Sequence, residues 1–260
     1  MRYIKIFVFS FVILFVAGAF VFIAQASHSW NGYHWARTAN PFNLKLGDNV
    51  SLAWDSYLAA SSVDWSQSSV LDTSVVLGQS KGNCKPTNGR VEVCNKTYGN
   101  NGWLGVASIW VSGSHITKSS VKVNDTYFNI SPYNAPEWKQ FVMCQEIGHT
   151  LGLDHQDEDF SNANLNTCMD YTNSPASNQR PNQHDYDQLA ITYGHLDAIT
   201  TVYNKIFSSA PANNDDIDTT NPKEWGKETR KSKDGKGSLY ERDLGKGKKV
   251  FTFVIWANEK

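Results

Sequence analysis

The chain has 260 residues, of which 40% are hydrophobic and 19% charged, and its formal net charge at pH 7 is −1. This length is sufficient for one sizeable hydrophobic core with a small addition. The slightly negative balance gives no electrostatic attraction to nucleic acid, so we expect no nucleic-acid partner.

Residues 1–26 have the composition of a secretory signal peptide. Arg2 and Lys5 precede an apolar run over residues 6–23, and Ala24-Gln25-Ala26 forms a small-residue cleavage site. The run is longer than a typical signal core, so an uncleaved membrane anchor through residues 6–23 is the alternative. The sequence therefore predicts an extracellular protein.

The main domain is predicted to span residues 27–207 and to mix strands with helices. Residues 42–46, 74–77, 105–111 and 120–124 have the composition of strands. Residues 53–60 are predicted to open a first helix, with Trp65 near its end. The last helix of this domain is predicted to begin near residue 181, and the boundary follows a helix ending near residue 207.

A helix that carries metal-binding residues is predicted from Pro136 onward, because proline suits the first turn of a helix. Gln145 and His149 are separated by four residues, so both point from one face of the helix toward a single metal ion. Glu146 is placed to reach a water molecule on that ion.

The chain is predicted to turn sharply after this helix. Gly152 adopts left-handed backbone dihedrals at little cost, which ends the helix. The turn brings His155 round as a third ligand, and three protein ligands leave a fourth position open for water, as a catalytic zinc requires.

Residues 145–155 match the zinc-protease pattern H-E-x-x-H-x-x-G-x-x-H, except that glutamine stands in place of the first histidine. The segment resembles the metzincin metalloproteases, in particular their matrixin-like members. The resemblance implies an α+β metzincin-like domain, with a twisted sheet, an active-site helix and a C-terminal lobe. It also implies that an edge strand of the sheet pairs with an extended protein or peptide substrate.

Two residues beyond the motif extend this resemblance. Met169 corresponds to the methionine turn that lies beneath the metal in metzincins, and Tyr171 lies where the tyrosine of astacins reaches the zinc. Residues 181–194 resemble the last helix of matrixins. The resemblance implies that Zn2+ is held by Gln145, His149 and His155, that Glu146 is the general base, and that Tyr171 donates to the developing oxyanion.

The glutamine is the departure from the family pattern. Its side-chain carbonyl oxygen is a weaker zinc donor than imidazole, so we predict Gln145 to be a weak ligand. Other residues near the motif are alternative ligands, of which Tyr171 is the most attractive; they are Tyr171, Asp170, Asp154 and Cys144. Cys144 is disfavoured, because five residues of helix place it about 140° round from His149.

The function predicted from these residues is that of a secreted zinc-dependent endopeptidase, most simply a monomer. The alternative is a catalytically degenerate binding protein with the metzincin fold, inactive because the first ligand is glutamine. A calcium site is suggested by Asp157, Glu158 and Asp159, but their spacing matches no calcium pattern, and a solvated acidic loop is preferred.

Four cysteines in an exported chain indicate two disulfides. Cys84 and Cys94 flank a short turn, which suits a local bridge across a hairpin. The metzincin arrangement implies a second bridge, since it puts Cys144, beside Gln145, near Cys168, beside Met169. Four cysteines permit three pairings, and the sequence does not choose among them.

No cysteine precedes Cys84, so we expect no cysteine-capped zymogen of the matrixin kind. Any restraint on activity is then expected from the weak metal site or from the C-terminal tail. The remaining histidines are interpreted as surface or hydrogen-bonding residues and not as ligands; they are His28, His34, His115, His184 and His195.

Residues 208–222 are small, polar and rich in helix breakers, so they are predicted to be a linker. Residues 223–260 carry a net charge of +5, against −8 for residues 27–222. This basic segment is expected to dock on the acidic domain or on an anionic cell surface, or else to form a solvated hairpin. Gly245-Lys246-Gly247 is predicted to be the hairpin turn before a buried strand over residues 250–256.

Overall fold

The computed structural model describes residues 27–80, 82–202 and 217–257. The predicted signal peptide and residues 208–216 of the predicted linker lie outside them. Within the described ranges, none of the helices has both the length and the apolar composition needed to cross a membrane.

The described residues form one sheet and four α-helices. The strands are β1 (His34–Trp35), β2 (Phe42–Asn49), β3 (Leu71–Leu77), β4 (Val91–Lys96), β5 (Trp103–Ser112), β6 (His115–Asn124), β7 (Lys227–Lys231), β8 (Gly237–Gly245) and β9 (Lys248–Trp256). The helices are α1 (Asp55–Trp65), α2 (Asp125–Phe128), α3 (Pro136–Thr150) and α4 (Gln183–Thr192). The predicted α+β class is confirmed, and each of the four predicted strands in the main domain lies within or overlaps an observed strand.

The strand order in the sheet is β3-β2-β4-β6-β5-β9-β8-β7, with β1 beside β6. Strands β2, β3, β4 and β6 run parallel to one another, whereas β5 runs antiparallel to β6. Helix α3 packs on one side of β5, and a smaller cluster built around Trp103 and Trp225 covers the other. Strand β5 is therefore buried on both faces, which accounts for its nearly unbroken apolar sequence.

The predicted C-terminal hairpin is present, and it continues the main sheet. Strand β9 pairs antiparallel with β5, from Trp256 opposite Trp103 to Lys248 opposite Ser112. Apolar side chains lie on both faces of β9, and a position inside the sheet buries both faces. Of the three possibilities for the basic segment, docking on the acidic domain is the one observed.

One detail differs from the sequence-based expectations. Residues 217–222 were expected to be linker, yet Thr219 is buried and its carbonyl accepts a hydrogen bond from the Trp225 indole at 2.9 Å. Helix α4 ends at Thr192, because Gly194 follows and the backbone N–H of Asp197 then donates to the carbonyl of Arg37 at 2.9 Å. The helix end predicted near residue 207 lies outside the described residues.

Candidate metal centre

Helix α3 carries three of the predicted site residues and ends at the predicted turn. Gly152 has φ +89°, and a Cβ at this position would collide with the carbonyl oxygen of Tyr33. The glycine is therefore required both by the backbone conformation and by the close approach of the N-terminal segment. The turn that it permits returns the chain toward α3 at His155.

The structure brings His149 and His155 together. Their ring centroids are 4.5 Å apart and nearly perpendicular. Nδ1 of His149 donates to the Leu153 carbonyl at 2.9 Å, and Nδ1 of His155 lies 3.3 Å from Oε1 of Glu158. Each ring has its Nδ1 occupied in this way, which leaves Nε2 as the atom for a metal.

Gln145 precedes His149 by one turn of α3, which puts the two side chains on one face of the helix. Nε2 of Gln145 donates to the carbonyl of Cys168 at 3.0 Å, whereas its buried Oε1 has no hydrogen-bond partner among the described residues. The bond to Cys168 fixes the orientation of the amide. The disulfide between Cys144 and Cys168 holds helix and turn together beside it, and the Cys84–Cys94 disulfide is also present.

Glu146 is buried against β5. The backbone N–H of Ala107 donates to it, and its Oε2 has no partner among the described residues. Burial raises the pKa of Glu146 well above the usual value, although the Ala107 hydrogen bond opposes this. A carboxyl group so placed is a proton acceptor whose affinity for the proton has been increased by its surroundings.

Met169 lies beneath α3, as the resemblance implies. A Cβ at Gly148 would overlap Sδ of Met169, so glycine is what allows the methionine to approach the helix. Gly148 is not among the predicted site residues, although a glycine inside a helix is unfavourable by about 1 kcal/mol and is itself a signal of close packing.

The ring of Tyr171 is buried and packs against the proposed metal ligand His155. Its ring lies 4.0 Å from that of His155 and 4.4 Å from that of Phe160. Its hydroxyl faces the backbone of Gly237 on β8, where a Cβ would collide with it. Burial, then the charge of Glu158, raises the pKa of Tyr171 well above its usual value, so the hydroxyl keeps its proton.

The other candidate ligands have different partners. Cys144 is in a disulfide. Both carboxylate oxygens of Asp154 accept from Arg230 of β7, and Arg230 also pairs with Glu158 at 2.9 Å. Asp170 accepts hydrogen bonds from the Leu165 backbone and the Asn178 side chain through Oδ2, whereas its buried Oδ1 has no partner among the described residues. Among the suggested calcium residues, Asp157 accepts from the backbone of Asp159 at 2.6 Å.

The C-terminal hairpin covers the site, which the sequence analysis did not foresee in detail. Phe253 of β9 stacks on the His149 ring, with centroids 4.0 Å apart and planes 8° apart. The space between His155, Tyr171, Arg230 and Gly237 has no room even for a water molecule, so an extended peptide does not fit there. Burial, then His155, lowers the pKa of His149 well below its usual value, so its ring is neutral.

The residues present fit a divalent cation. Gln145 Oε1, Glu146 Oε2 and His155 Nε2 are all buried without a hydrogen-bond partner in the described ranges, and buried polar atoms of proteins rarely remain so. Two imidazoles with an oxygen donor form a ligand set suited to zinc.

No family model matches the sequence, and no curated protein matches it. Among solved structures, the chain is similar to myroilysin, with 12% identity and a TM-score of 0.37 over 64% of this chain and 98% of that one. It is also similar to High choriolytic enzyme 1, a hatching enzyme zinc-protease from the medaka fish Oryzias latipes, with 7% identity and a TM-score of 0.34 over 63% of this chain and 96% of that one. Both similarities are weak, and the metal centre rests on the contacts given above.

Proposed function

We propose that this chain is a secreted zinc-dependent endopeptidase and that its C-terminal hairpin keeps it closed. The observation that carries the proposal is the group of buried, unpaired polar atoms at Gln145, Glu146 and His155, next to His149. A structural zinc site would gain nothing from a carboxyl group at Glu146, whereas a hydrolytic site needs one.

The proposed ligands are Gln145 Oε1 and the Nε2 atoms of His149 and His155. Zinc bound there would polarise the scissile carbonyl and acidify a water molecule. Glu146 would accept the water proton at Oε2 and deliver it to the leaving amine. The pKa of Glu146 is raised by burial in this structure, and a nearby divalent cation would favour its ionised form.

Tyr171 has a proposed supporting role. Its protonated hydroxyl would donate to the oxyanion that develops on the substrate carbonyl. In the closed state this hydroxyl faces Gly237, so β8 has to move before Tyr171 meets a substrate. Movement of the hairpin away from the site would therefore also free the Tyr171 hydroxyl.

The closed state also explains what limits substrate access. Without the C-terminal segment, β5 would be the edge of the sheet and free to pair with an extended peptide. Strand β9 occupies this edge along its whole length. The restraint expected from the C-terminal tail therefore has a structural basis: β9 and a substrate would compete for the same backbone groups.

An extracellular location is part of the proposal. Two disulfides among the described residues suit an oxidising compartment. Contact of the basic segment with an anionic cell surface is less favoured than its docking on this domain, because Arg230 pairs with both Asp154 and Glu158.

The test is hydrolysis of casein by zinc-loaded protein, with and without a chelator, for the wild type and for Phe253→Ala, which uncovers His149. We expect chelator-sensitive hydrolysis in Phe253→Ala, and a loss of about 100-fold or more when Glu146→Gln is added, with zinc content unchanged. Glu137→Gln, on the first turn of the same helix, is the matched control and should have no effect. If every form lacks hydrolysis, the endopeptidase proposal fails.

The second candidate function is a degenerate, non-catalytic binding protein. It is favoured by the glutamine at position 145 together with the occupied edge of β5. This candidate predicts no hydrolysis by the wild type or by Phe253→Ala, and the appearance of hydrolysis when Gln145→His is added.

A further inference from the structure

Three histidines outside the motif converge on one carboxylate, at a place distinct from α3. His34 lies in β1, His115 begins β6, and His195 and Asp197 follow α4. Oδ1 of Asp197 is 3.2 Å from Nε2 of His115, 3.5 Å from Nε2 of His34 and 3.6 Å from Nε2 of His195. The Nε2 atoms of His34 and His195 are 3.2 Å apart. The sequence by itself predicts only surface or hydrogen-bonding roles for these histidines.

The hydrogen bonds around His34 direct its second ring nitrogen at this point. Its Nδ1 donates to the carbonyl of Gly32 at 2.7 Å. This bond leaves Nε2, which lies 3.5 Å from Oδ1 of Asp197, as the nitrogen available to a metal ion.

The spacing of these atoms fits tetrahedral coordination. Zinc binds histidine nitrogen and carboxylate oxygen at about 2.0–2.2 Å, which places tetrahedral ligands about 3.3–3.6 Å from one another. Distances of 3.2 Å between His34 and His195, 3.5 Å between His34 and Asp197, and 3.6 Å between His195 and Asp197 match this geometry.

Neighbouring groups hold the carboxylate in place. NH1 of Arg37 donates to Oδ2 of Asp197 at 2.8 Å, and the Arg37 backbone N–H donates to the same atom at 3.1 Å. The side chain of Asp197 is only 10% exposed, which leaves Oδ1 directed at the histidines. Outer contacts of this kind orient the ligands of metal sites.

We propose that His34, His195 and Asp197 bind a divalent transition-metal ion, with Zn2+ the best fit, and that His115 lies beside this site, in hydrogen-bond contact with Asp197. The site joins the N-terminal strand to the segment after α4, across about 160 residues of sequence. The proposed role is structural, because Arg37 already donates to Asp197, the carboxylate of this site, which is therefore not free to act as a base.

The test is zinc stoichiometry, measured by elemental analysis of the purified chain after dialysis against zinc and then buffer. The wild type is compared with His195→Ala, which removes a side chain that is 52% exposed, and with His184→Ala as the matched control outside the cluster. We expect His195→Ala to bind one zinc fewer than the wild type and His184→Ala to bind the same amount. Equal zinc content in the wild type and His195→Ala would overturn the proposal.

Asp197→Asn and cobalt spectroscopy support this comparison if His195→Ala folds poorly. Co2+ added to the wild type should give the intense visible bands of a tetrahedral ion, and Asp197→Asn should weaken the part of that signal that Gln145→Ala leaves unchanged. The two metal sites are distinguishable, because Gln145→Ala removes only the zinc of α3. The site is supported if the Gln145→Ala variant retains one zinc and the additional substitution His195→Ala removes it. This result would support the site even if the peptidase proposal fails.

Discussion

The phenyl ring of Phe253 lies flat on the imidazole of His149, with ring centroids 4.0 Å apart and an interplanar angle of 8°. Phe253 belongs to β9, where it stands opposite Ala107, whose backbone N–H donates to Glu146. Phe253 thus shields the proposed zinc ligand His149. Ala107, its partner on β5, holds the proposed base Glu146.

Replacing Phe253 by alanine is expected to open the metal centre. The lost packing should lower the free energy of unfolding by about 3–5 kcal/mol. The rate at which a chelator removes zinc should also rise several-fold, because the His149 ring is uncovered. Phe251→Ala is the control: Phe251 is equally buried on β9 but packs on Trp30. Equal zinc release from both variants, measured by stopped-flow chelation, would contradict the shielding role.

Replacing Gln145 by histidine is expected to tighten zinc binding by about tenfold or more, because imidazole is a stronger zinc donor than an amide oxygen. Competition with a chromophoric chelator measures the change. Gln140→His is the control on the same helix, since Gln140 donates to Ser61 and faces away from the centre. Unchanged affinity in Gln145→His would show that position 145 does not reach the metal.

Removal of the Cys144–Cys168 disulfide by a double substitution to serine is expected to lower the free energy of unfolding by about 2–4 kcal/mol. It should also weaken zinc binding, because the Cys168 carbonyl fixes the Gln145 amide. The matched control is the double serine variant of Cys84 and Cys94, which should lose stability while keeping its zinc affinity. Identical zinc affinities in the two variants would rule out the orienting role.

Lys122 is buried within the sheet, and burial lowers its pKa to about 7, although Asp218 opposes the shift. The charged form is therefore disfavoured in the folded state, and the full destabilisation is present below pH 7, where the lysine is protonated in both states. Stability is regained as the pH rises from about 7 toward 10.5, since only the unfolded chain then holds the proton.

Replacing Lys122 by methionine is consequently expected to raise the free energy of unfolding, by on the order of 2 kcal/mol at pH 6 and by less at pH 9. Chemical denaturation at the two pH values measures the difference. Lys223→Met, in the exposed turn before Trp225, should change little at either pH. A stabilisation that grows with pH would reverse the sign and contradict the argument.

Much of the proposed metal centre follows from the sequence by itself. The separation of Gln145 from His149 and the glycine at 152 determine which side chains share a helix face and where the chain turns, because both effects act over one or two helical turns. The spacing of Cys84 and Cys94 likewise suited a local bridge, and an apolar run after Gly245-Lys246-Gly247 predicted the last strand.

Only the tertiary structure decided what lies against these elements. The place of β9 beside β5 depends on which faces of distant strands need burial, and no local pattern specifies it. Phe253 therefore reaches His149, and His34 meets His195 and Asp197, through contacts across a hundred residues or more. The sequence determined the chemistry that each segment can offer, whereas the burial of apolar surface throughout the fold decided which segments meet.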